Sequence, residues 1–247
     1  HGEADACPSL ICDRYDRWLV VQLMSAGLEA FRDAIVDALD AIVRPAGILA
    51  RNDVPLRAKE KLPVGVELLR GEVPEEVEVS EHGIRFVAAP YRGQKTGAFL
   101  DQRDNHVMAS EWAHGEALDC FSYAGGFALQ LALKAKNVTA VEISEPACAL
   151  IESNAKRNSL TNVTAVAANA FDFLRDALDE GRKFDTIVLD PPSFAKNKGA
   201  IEAAVRGYKE INLRAMQLLN PGGVLITASC THHVDEERFE EMLDSAA

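Results

Sequence analysis

The chain has 247 residues, 48% of them hydrophobic, and a formal net charge of −12 at neutral pH. This length and composition indicate one large or two smaller globular domains with a substantial core. Phosphate backbones bind basic surfaces, so the acidic balance alone argues against a nucleic-acid partner unless basic residues cluster locally. No apolar run approaches the ~20 residues of a membrane span, and no membrane partner is expected.

The first segment, residues 1–73, is predicted to form a small α+β domain. Residues 10–23 are expected to form a β-hairpin that turns around Asp16. Residues 27–43 carry apolar side chains at helical spacing, and residues 46–53 are expected to return as a strand.

The rest of the chain predicts a hairpin followed by a Rossmann-like α/β domain. Residues 74–93 link the two halves, because residues 75–90 alternate with period two around His82 and the following glycine. Residues 94–247 then alternate strands and helices. The strand-like segments are residues 116–121, 138–144, 163–169, 184–190 and 222–230. Five apolar strands separated by helices predict a parallel, doubly wound sheet.

The carboxyl ends of these strands carry unusual residues, at the edge where doubly wound sheets bind ligands. Residues 119–126 read DCFSYAGG, an acid followed by a tight turn and two glycines that open a helix. Glu142 comes 23 positions after Asp119, a spacing typical of an acid that binds ribose hydroxyls. Asn169 and Ala170, after the third strand, are suited to read an adenine edge. Each signal is weak alone, and the glycine pair fits a plain turn equally well. Their coincidence predicts a nucleoside cofactor.

The composition of the turn distinguishes between nucleoside cofactors. A dinucleotide requires G-x-G-x-x-G to admit its pyrophosphate, and the chain has neither this motif nor a Walker lysine. A cofactor without phosphate fits better, which predicts S-adenosylmethionine. The residues expected to hold it are Asp119, Phe121, Ser122, Tyr123, Ala124, Gly125, Gly126, Glu142, Ile143, Asn169, Ala170, Asp190 and Pro191.

Residues 186–198, TIVLDPPSFAKNK, hold Asp190 at the end of the fourth strand, with two prolines directly after it. Prolines restrict the backbone and cannot donate to a sheet, so the carboxylate is held rigidly at the sheet edge. In amino-methylating enzymes such a segment accepts hydrogen bonds from an exocyclic amine, and an aromatic residue, here Phe194, stacks on the base. This segment alone favours methylation of an adenine or guanine nitrogen.

Cys230 is the residue that distinguishes carbon from nitrogen methylation. It is predicted to end the fifth strand, with its thiol facing the same side as Asp190. Most strand cysteines are small buried hydrophobes, and Cys120 and Cys148 are expected to be packing residues of this kind. A thiolate that adds to C6 of cytosine instead makes C5 nucleophilic, while an acid hydrogen-bonds N3. His232 and His233 fit either a pocket contact or a helix start.

The five cysteines show no CxxC and no zinc-like spacing. Their scatter in an acidic chain is typical of a reducing cytoplasm, and no metal is expected.

Four segments together resemble the bacterial 23S ribosomal RNA cytosine-C5 methyltransferases, a family of class I S-adenosylmethionine-dependent enzymes. They read RGQKTGAFLDQRDNH, LDCFSYAGGF, DPPSF and SCTHHV, and begin at residues 92, 118, 190 and 229. Residues 94–247 are similar to the catalytic domain of that family, and residues 1–90 to its central α/β domain. Members usually also carry an N-terminal PUA domain and a final hairpin, and neither is expected within these 247 residues.

The resemblance implies transfer of a methyl group from S-adenosylmethionine to C5 of a cytosine in 23S ribosomal RNA. It assigns Cys230 as the nucleophile and Asp190 as the contact to N3. In that family the loop from Gln94 to Arg103 closes over the cofactor. The candidates for cofactor or RNA contact in this loop are Lys95, Thr96, Asp101, Gln102 and Arg103, and the expected substrate-binding residues are Pro192, Phe194, Lys95 and Arg103. Arg92, Lys95 and Arg103, with Lys196 and Lys198, are the local basic residues, although scattered lysines usually mark a solvated face.

Two alternatives stay open: a guanine or adenine nitrogen methyltransferase in which Cys230 merely packs, and a non-catalytic RNA-binding protein. The expected partner is ribosomal RNA. A homodimer is an open alternative to a monomer.

Overall fold

The structure is a computed structural model that describes residues 5–195, 198–231 and 234–247. The chain divides into two compact units, His1–Asp101 and Gln102–Ala247. The domain boundaries expected from the sequence, at residues 73 and 93, stay a prediction. Lys196, His232 and His233 lie outside the described residues, as does the side chain of Lys198.

The first unit contains a four-stranded mixed sheet and a separate hairpin. Its elements are β1 Leu10–Tyr15, β2 Trp18–Leu23, α1 Ala26–Glu29, α2 Arg32–Val43, β3 Gly47–Arg51, α3 Pro55–Lys59, β4 Val66–Gly71, β5 Val77–Glu81 and β6 Ile84–Ala88. The sheet order is β1-β2-β3-β4, with β2 and β3 parallel and the outer pairs antiparallel. Strands β5 and β6 pair antiparallel, as the alternation of residues 75–90 predicts.

Three details of the first unit differ from the sequence-based expectation or go beyond it. The hairpin around Asp16 is confirmed, since Tyr15 pairs with Trp18. The helical pattern of residues 27–43 is interrupted, because Phe31 leaves helical geometry at ψ 11° and becomes the residue that precedes α2. Helix α3 and strand β4 were not predicted from the sequence. In β4, five of the six residues are exposed, so its apolar and polar residues do not alternate between a core and a solvent face.

The second unit is a doubly wound α/β domain, which confirms the predicted fold class. Its elements are α4 Arg103–Trp112, β7 Glu116–Cys120, α5 Gly126–Leu131, β8 Asn137–Glu142, α6 Glu145–Arg157, β9 Val163–Ala167, α7 Ala170–Asp179, β10 Phe184–Leu189, α8 Ile201–Leu218, β11 Leu219–Thr227 and α9 Glu236–Asp244. The sheet order is β11-β10-β7-β8-β9, and every pair is parallel. The strand order therefore reverses between β7 and β10, next to where such sheets bind ligands.

The two faces of this sheet are covered by separate apolar clusters. One cluster joins buried residues of α7, α8 and α9 to the sheet, and it includes Cys120, Leu174 and Tyr208. The other joins α4, α5 and α6 to the opposite face, around Phe127 and Ile151. Because both faces are buried, the strands read as continuous apolar runs, which is why the sequence alone predicts them.

Strand β11 ends earlier than predicted, which changes the position of Cys230. The last residue of the strand is Thr227, paired with Leu189, and the Ala228 amide donates one further bond to the Leu189 carbonyl at 2.9 Å. The segment that follows the neighbouring strand β10 contains Pro191 and Pro192, which have no N–H groups to continue the hydrogen bonding between the strands. The prediction that Cys230 ends the strand is therefore wrong, because this residue lies in the loop beyond the sheet.

Candidate functional site

The candidate site lies at the carboxyl edge of the parallel sheet, in the segments that follow β7, β8, β9, β10 and β11. Its sequence-predicted residues fall into three classes of exposure. Asp119, Ser122, Gly125, Ala170 and Pro191 are buried; Phe121, Tyr123, Ala124, Gly126, Glu142, Asp190 and Phe194 are partly buried; Ile143, Asn169, Pro192 and Cys230 are exposed, as are Lys95 and Arg103 elsewhere in the chain.

The turn after β7 has an unusual backbone. Phe121, Tyr123 and Gly125 all adopt left-handed geometry, with φ of 67°, 48° and 87°. Aromatic residues rarely adopt it, and such outliers concentrate at functional sites. Glu142 holds the turn, because its carboxylate accepts from the Tyr123 amide at 2.9 Å and from the Ser144 amide at 3.0 Å. The acid expected to bind ribose therefore also shapes the loop beside it.

Asp119 is fully buried at the start of this turn. Its Oδ2 accepts from the Ser122 hydroxyl at 2.5 Å and from the Ala128 amide at 3.0 Å. Its Oδ1 is buried and has no hydrogen-bond partner. Burial raises the pKa of Asp119 to about 7, and the negative charge of Asp190 contributes in the same direction. The unpartnered oxygen fits a cationic or hydrogen-bonding ligand group, since buried acceptors are normally satisfied.

The backbone at position 125 and the packing at position 126 each favour a glycine, independently of any cofactor. Gly125 precedes α5 in left-handed geometry, which favours glycine. A Cβ on Gly126 would lie 2.5 Å from the imidazole of His106, whose ring packs edge-on against Phe127 at 4.5 Å. Close packing of α4 on α5 thus requires a glycine at 126 without any cofactor. Cofactor contact by these two residues stays a prediction.

The residues after β8 and β9 differ in their surroundings. Ile143 is 69% exposed, although it directly follows the partly buried Glu142. The Asn169 Oδ1 accepts from the Phe171 amide at 2.9 Å and so caps α7. Its side-chain oxygen is therefore used by the helix, and the amide nitrogen is the group suited to an adenine edge.

Asp190 directly follows β10, as predicted, and its carboxylate is held by a side chain of the same unit. Its Oδ2 accepts from Gln102 Nε2 at 3.0 Å, and Gln102 Oε1 accepts from Asn105 Nδ2 at 2.6 Å. The Asn105 contact fixes which end of the Gln102 amide faces the carboxylate. The sequence predicts Gln102 only as a cofactor or RNA contact; its bond to Asp190 was not predictable, since 88 positions separate the pair.

Cys230 is exposed, and its thiol lies against the backbone of the Asp-Pro-Pro segment. The sulfur donates to the Pro191 carbonyl oxygen at 3.6 Å. The loop after β11 therefore brings the thiol next to the residue that follows Asp190, as the predicted order of the strands requires.

Phe194 belongs to an aromatic cluster at the edge of the core. Its ring lies 4.7 Å from that of Tyr208, 5.7 Å from Phe171 and 6.3 Å from Phe121. These contacts explain an aromatic residue at this position without a bound base. Stacking of Phe194 on a target base stays a prediction.

The basic residues near the Gln94 loop have acidic partners. Lys95 pairs with Asp101 at 2.6 Å, and Arg103 pairs with Asp104 at 3.3 Å. Arg92 lies 3.5 Å from Glu75. Three of the five local basic residues named from the sequence thus lie beside carboxylates, and RNA contact by Lys95 and Arg103 stays a prediction.

Thr96 requires a correction. Its side chain is 1% exposed, and its hydroxyl donates to Asp13 at 2.6 Å and contacts the Tyr15 hydroxyl at 2.8 Å. It is thus bonded within its own unit, because a buried hydroxyl needs protein partners, and it is not placed to contact a ligand.

The family of S-adenosylmethionine-dependent methyltransferases matches residues 13–241, and the chain belongs to this family. Its similarity extends to proteins named ribosomal RNA large subunit methyltransferase I. It is 42% identical to that of Vibrio campbellii, covering 100% of this chain and 64% of the relative. It is 41% identical to that of Photobacterium profundum, covering 100% of this chain and 63% of the relative. The chain thus spans a little under two thirds of these proteins.

A solved structure shares the fold. SMU.776, crystallised with SAH, superposes with a TM-score of 0.85 at 24% identity, covering 100% of this chain and 64% of that one. The prediction of S-adenosylmethionine as the cofactor is confirmed at the level of the family. None of the helices in the described ranges is long and apolar enough to cross a membrane.

Proposed function

We propose that the chain is the catalytic part of an enzyme that methylates C5 of a cytosine in 23S ribosomal RNA, through a covalent bond to Cys230. The contact between the Cys230 thiol and the Pro191 carbonyl, beside Asp190, is the observation that carries the proposal. The names of the relatives support ribosomal RNA of the large subunit as the substrate. The resemblance of the four sequence segments supports cytosine. This substrate would place the enzyme in the cytoplasm.

The residues of the turn after β7 suit S-adenosylmethionine. The buried, unpartnered Oδ1 of Asp119 suits the ammonium group, and the Glu142 carboxylate suits the ribose hydroxyls. The exposed side chain of Ile143 and the amide nitrogen of Asn169 suit the face and the edge of the adenine. When bound, the cofactor supplies an electrophilic methyl group on a sulfonium.

Cys230 supplies the electrons that make the substrate carbon reactive. Its thiolate forms an S–C6 bond, and the electron pair of the C5–C6 double bond becomes available at C5. Once C5 carries the methyl group, a base removes the C5 proton. The double bond then forms again, the S–C6 bond breaks, and the thiolate is regenerated.

Asp190 stabilises the ring during this addition. Negative charge develops towards N3 when sulfur adds to C6, so a proton held between the carboxyl group and N3 lowers the barrier. The Gln102 amide, itself oriented by Asn105, holds the Asp190 carboxylate. The rigid prolines that follow keep the carboxyl group at the sheet edge.

Replacement of Cys230 tests the proposal. Cys230→Ala should reduce methylation of 23S ribosomal RNA by at least about 1000-fold, because an alanine side chain cannot form the bond to C6. Cys7→Ala, at an exposed cysteine of the other unit, is the matched control and should keep full activity. The measurement is label transfer from radioactive cofactor, followed by nucleoside analysis of the RNA. A nitrogen methyltransferase would keep its activity in Cys230→Ala and yield a methylated purine, and a non-catalytic RNA-binding protein would transfer no label at all.

A further inference from the structure

A row of three hydroxyl groups connects the loop of Cys230 to the loop of Asp190. The Thr231 hydroxyl lies 2.7 Å from that of Tyr208 and 3.1 Å from that of Ser193. Thr231 directly follows Cys230 in the chain, and Ser193 follows Asp190 by three positions. The two segments assigned to catalysis are therefore joined through side chains as well as through the thiol contact to Pro191.

The contact of Ser193 with a carbonyl oxygen sets the direction of the hydrogen bonds in this row. Ser193 donates its single hydroxyl hydrogen to the Ala195 carbonyl oxygen at 3.2 Å. Thr231 must then donate to Ser193, and Tyr208 must donate to Thr231. The Tyr208 hydroxyl is thus the first donor of a chain that ends on the backbone. Such chains polarise and strengthen their members, so loss of the first donor weakens the whole row.

Tyr208 is fixed more firmly than the loop that it contacts. It lies on α8 and is fully buried, with its ring 4.7 Å from Phe194 and 5.6 Å from Phe239. Thr231 is 3% exposed, whereas Cys230 beside it is exposed. The helix therefore supplies a rigid attachment point at the residue next to the thiol, within a loop that has left the sheet.

We propose that Tyr208 is a positioning residue: its hydroxyl, through Thr231 and Ser193, holds the Cys230 thiol at the Asp-Pro-Pro segment. The proposal rests on the proposed function, because it gives the row a role in the attack on C6. Geometric errors on the order of 1 Å at a reacting group can cost about 100-fold in rate. Loss of one hydroxyl in the row is expected to slow turnover without removing any group that touches the substrate.

Tyr208→Phe tests this role, because it removes one oxygen and keeps the ring. The first unit offers a matched control in Tyr15→Phe: Tyr15 is also fully buried, and its hydroxyl also contacts a threonine, Thr96, at 2.8 Å. Both variants remove a buried tyrosine hydroxyl, so both carry the same kind of stability cost. Thr231→Val breaks the row at its centre, and Thr231→Ser keeps a hydroxyl there.

Two readouts separate positioning from a general loss of stability. The first is kcat against KM for 23S ribosomal RNA at saturating cofactor. The second is the rate at which iodoacetamide modifies Cys230 in the full chain, followed by mass spectrometry of the peptide. Tyr208→Phe should lower kcat about 10- to 100-fold with little change in KM. It should also speed alkylation of Cys230, because a loosened loop releases the thiol from the Pro191 carbonyl. Thr231→Val should behave likewise, while Thr231→Ser should resemble the wild type in both readouts. Tyr15→Phe should leave the alkylation rate of Cys230 unchanged.

Unchanged kcat and unchanged alkylation in Tyr208→Phe would overturn the proposal. An equal increase in the alkylation rate in Tyr15→Phe would also overturn it, because it would show a general effect of lost stability. A failure of the proposed function would be recognised by a separate result, namely that Cys230→Ala keeps its methyltransferase activity. In that case the alkylation rates alone decide whether Tyr208 holds the loop.

Discussion

Each of the two units contains a buried tyrosine that donates to a threonine, and the two arrangements differ in what lies beside them. In the first unit the Ala98 amide donates to the Tyr15 hydroxyl at 3.1 Å, and the row continues through Thr96 to the Asp13 carboxylate. In the second unit the row from Tyr208 ends on a backbone carbonyl, next to an exposed thiol. A hydrogen bond from a buried tyrosine to a threonine thus stabilises a loop in the first unit. By our proposal, the corresponding bond in the second unit positions a nucleophile.

The two units also differ in how completely their buried polar groups are paired. In the part of the chain that the structure describes, the buried side-chain oxygens without a partner belong to Asp119, Asn212 and Thr227, all in the second unit. The buried Arg51 of the first unit instead bonds the Pro90 and Gly93 carbonyls and the Asp53 carboxylate. An unpaired buried oxygen costs stability, so these three oxygens are the places in the described residues where a water or a ligand group would add a hydrogen bond. The comparison therefore contrasts a paired polar network in the first unit with an incompletely paired one in the second.

The largest expected effect on stability comes from Asp119. Burial raises its pKa to about 7 in the folded chain, against the ordinary value of 3.8 for an aspartate. The folded state therefore binds more protons than the unfolded state between these values, and stability falls as the pH rises through this window. The total loss is on the order of 4 kcal/mol, from roughly pH 4 to 7.

Asp119→Asn should remove this part of the pH dependence, because an amide does not ionise. The measurement is the free energy of unfolding from urea titrations at several pH values, for the wild type and the variant without cofactor. A variant whose stability changes with pH as steeply as that of the wild type would show that this carboxyl group does not carry the effect.

Replacement of Arg51 tests whether the paired polar groups of the first unit contribute to stability rather than to cofactor binding. Arg51→Met should lower the free energy of unfolding by about 2–4 kcal/mol, because the buried carbonyl oxygens of Pro90 and Gly93 lose their donor. Arg51→Lys keeps the charge and is expected to lose less. Affinity for the cofactor, measured by calorimetry on the folded protein, should change little in either variant. A large loss of cofactor affinity with unchanged stability would reverse the roles assigned to the two units.

Two variants of Asn169 separate its contribution to stability from its contribution to cofactor affinity, and both effects are expected to be small. Asn169→Asp keeps the oxygen that caps α7 but replaces the amide nitrogen, so stability should stay within a few tenths of a kcal/mol. If the nitrogen contacts adenine, the loss of one hydrogen bond weakens cofactor binding about 5-fold. Asn169→Ala should show both effects, including about 1 kcal/mol of lost stability. Equal cofactor affinity in the wild type and Asn169→Asp would remove Asn169 from the cofactor site.

The parallel sheet was predictable from the sequence because its central strands β10, β7 and β8 are largely buried, and its edge strands β9 and β11 are still rich in apolar residues. Its apolar runs therefore stand out, and the strand order places Asp190 and Cys230 at one edge. The exposed strand β4 lacked this signal. The end of β11 was also missed, because it depends on where the neighbouring strand stops donating hydrogen bonds.

The contacts that hold the candidate site were harder to predict than its acids and its thiol. Tyr208 lies 23 positions from Thr231, and Ser193 lies 38 positions from it. No spacing rule links residues so far apart on a helix and two loops, and Tyr208 reads in the sequence as an ordinary core residue. Glu142 and Asp190 were recognisable because each marks the change from apolar to polar residues at a strand end. Asp119 was recognisable because an acid is rare within an apolar strand.

The most direct test of the central claim is to trap the bond between Cys230 and a cytosine. A 23S ribosomal RNA fragment that contains 5-fluorocytidine should form a stable adduct with the protein in the presence of S-adenosylmethionine, because fluorine at C5 does not leave as a proton would. We predict a shifted band on a denaturing gel, with the nucleotide attached to the Cys230 peptide, and no such band for Cys230→Ala. Methylation of the unmodified RNA without any adduct on the fluorinated RNA would contradict the account.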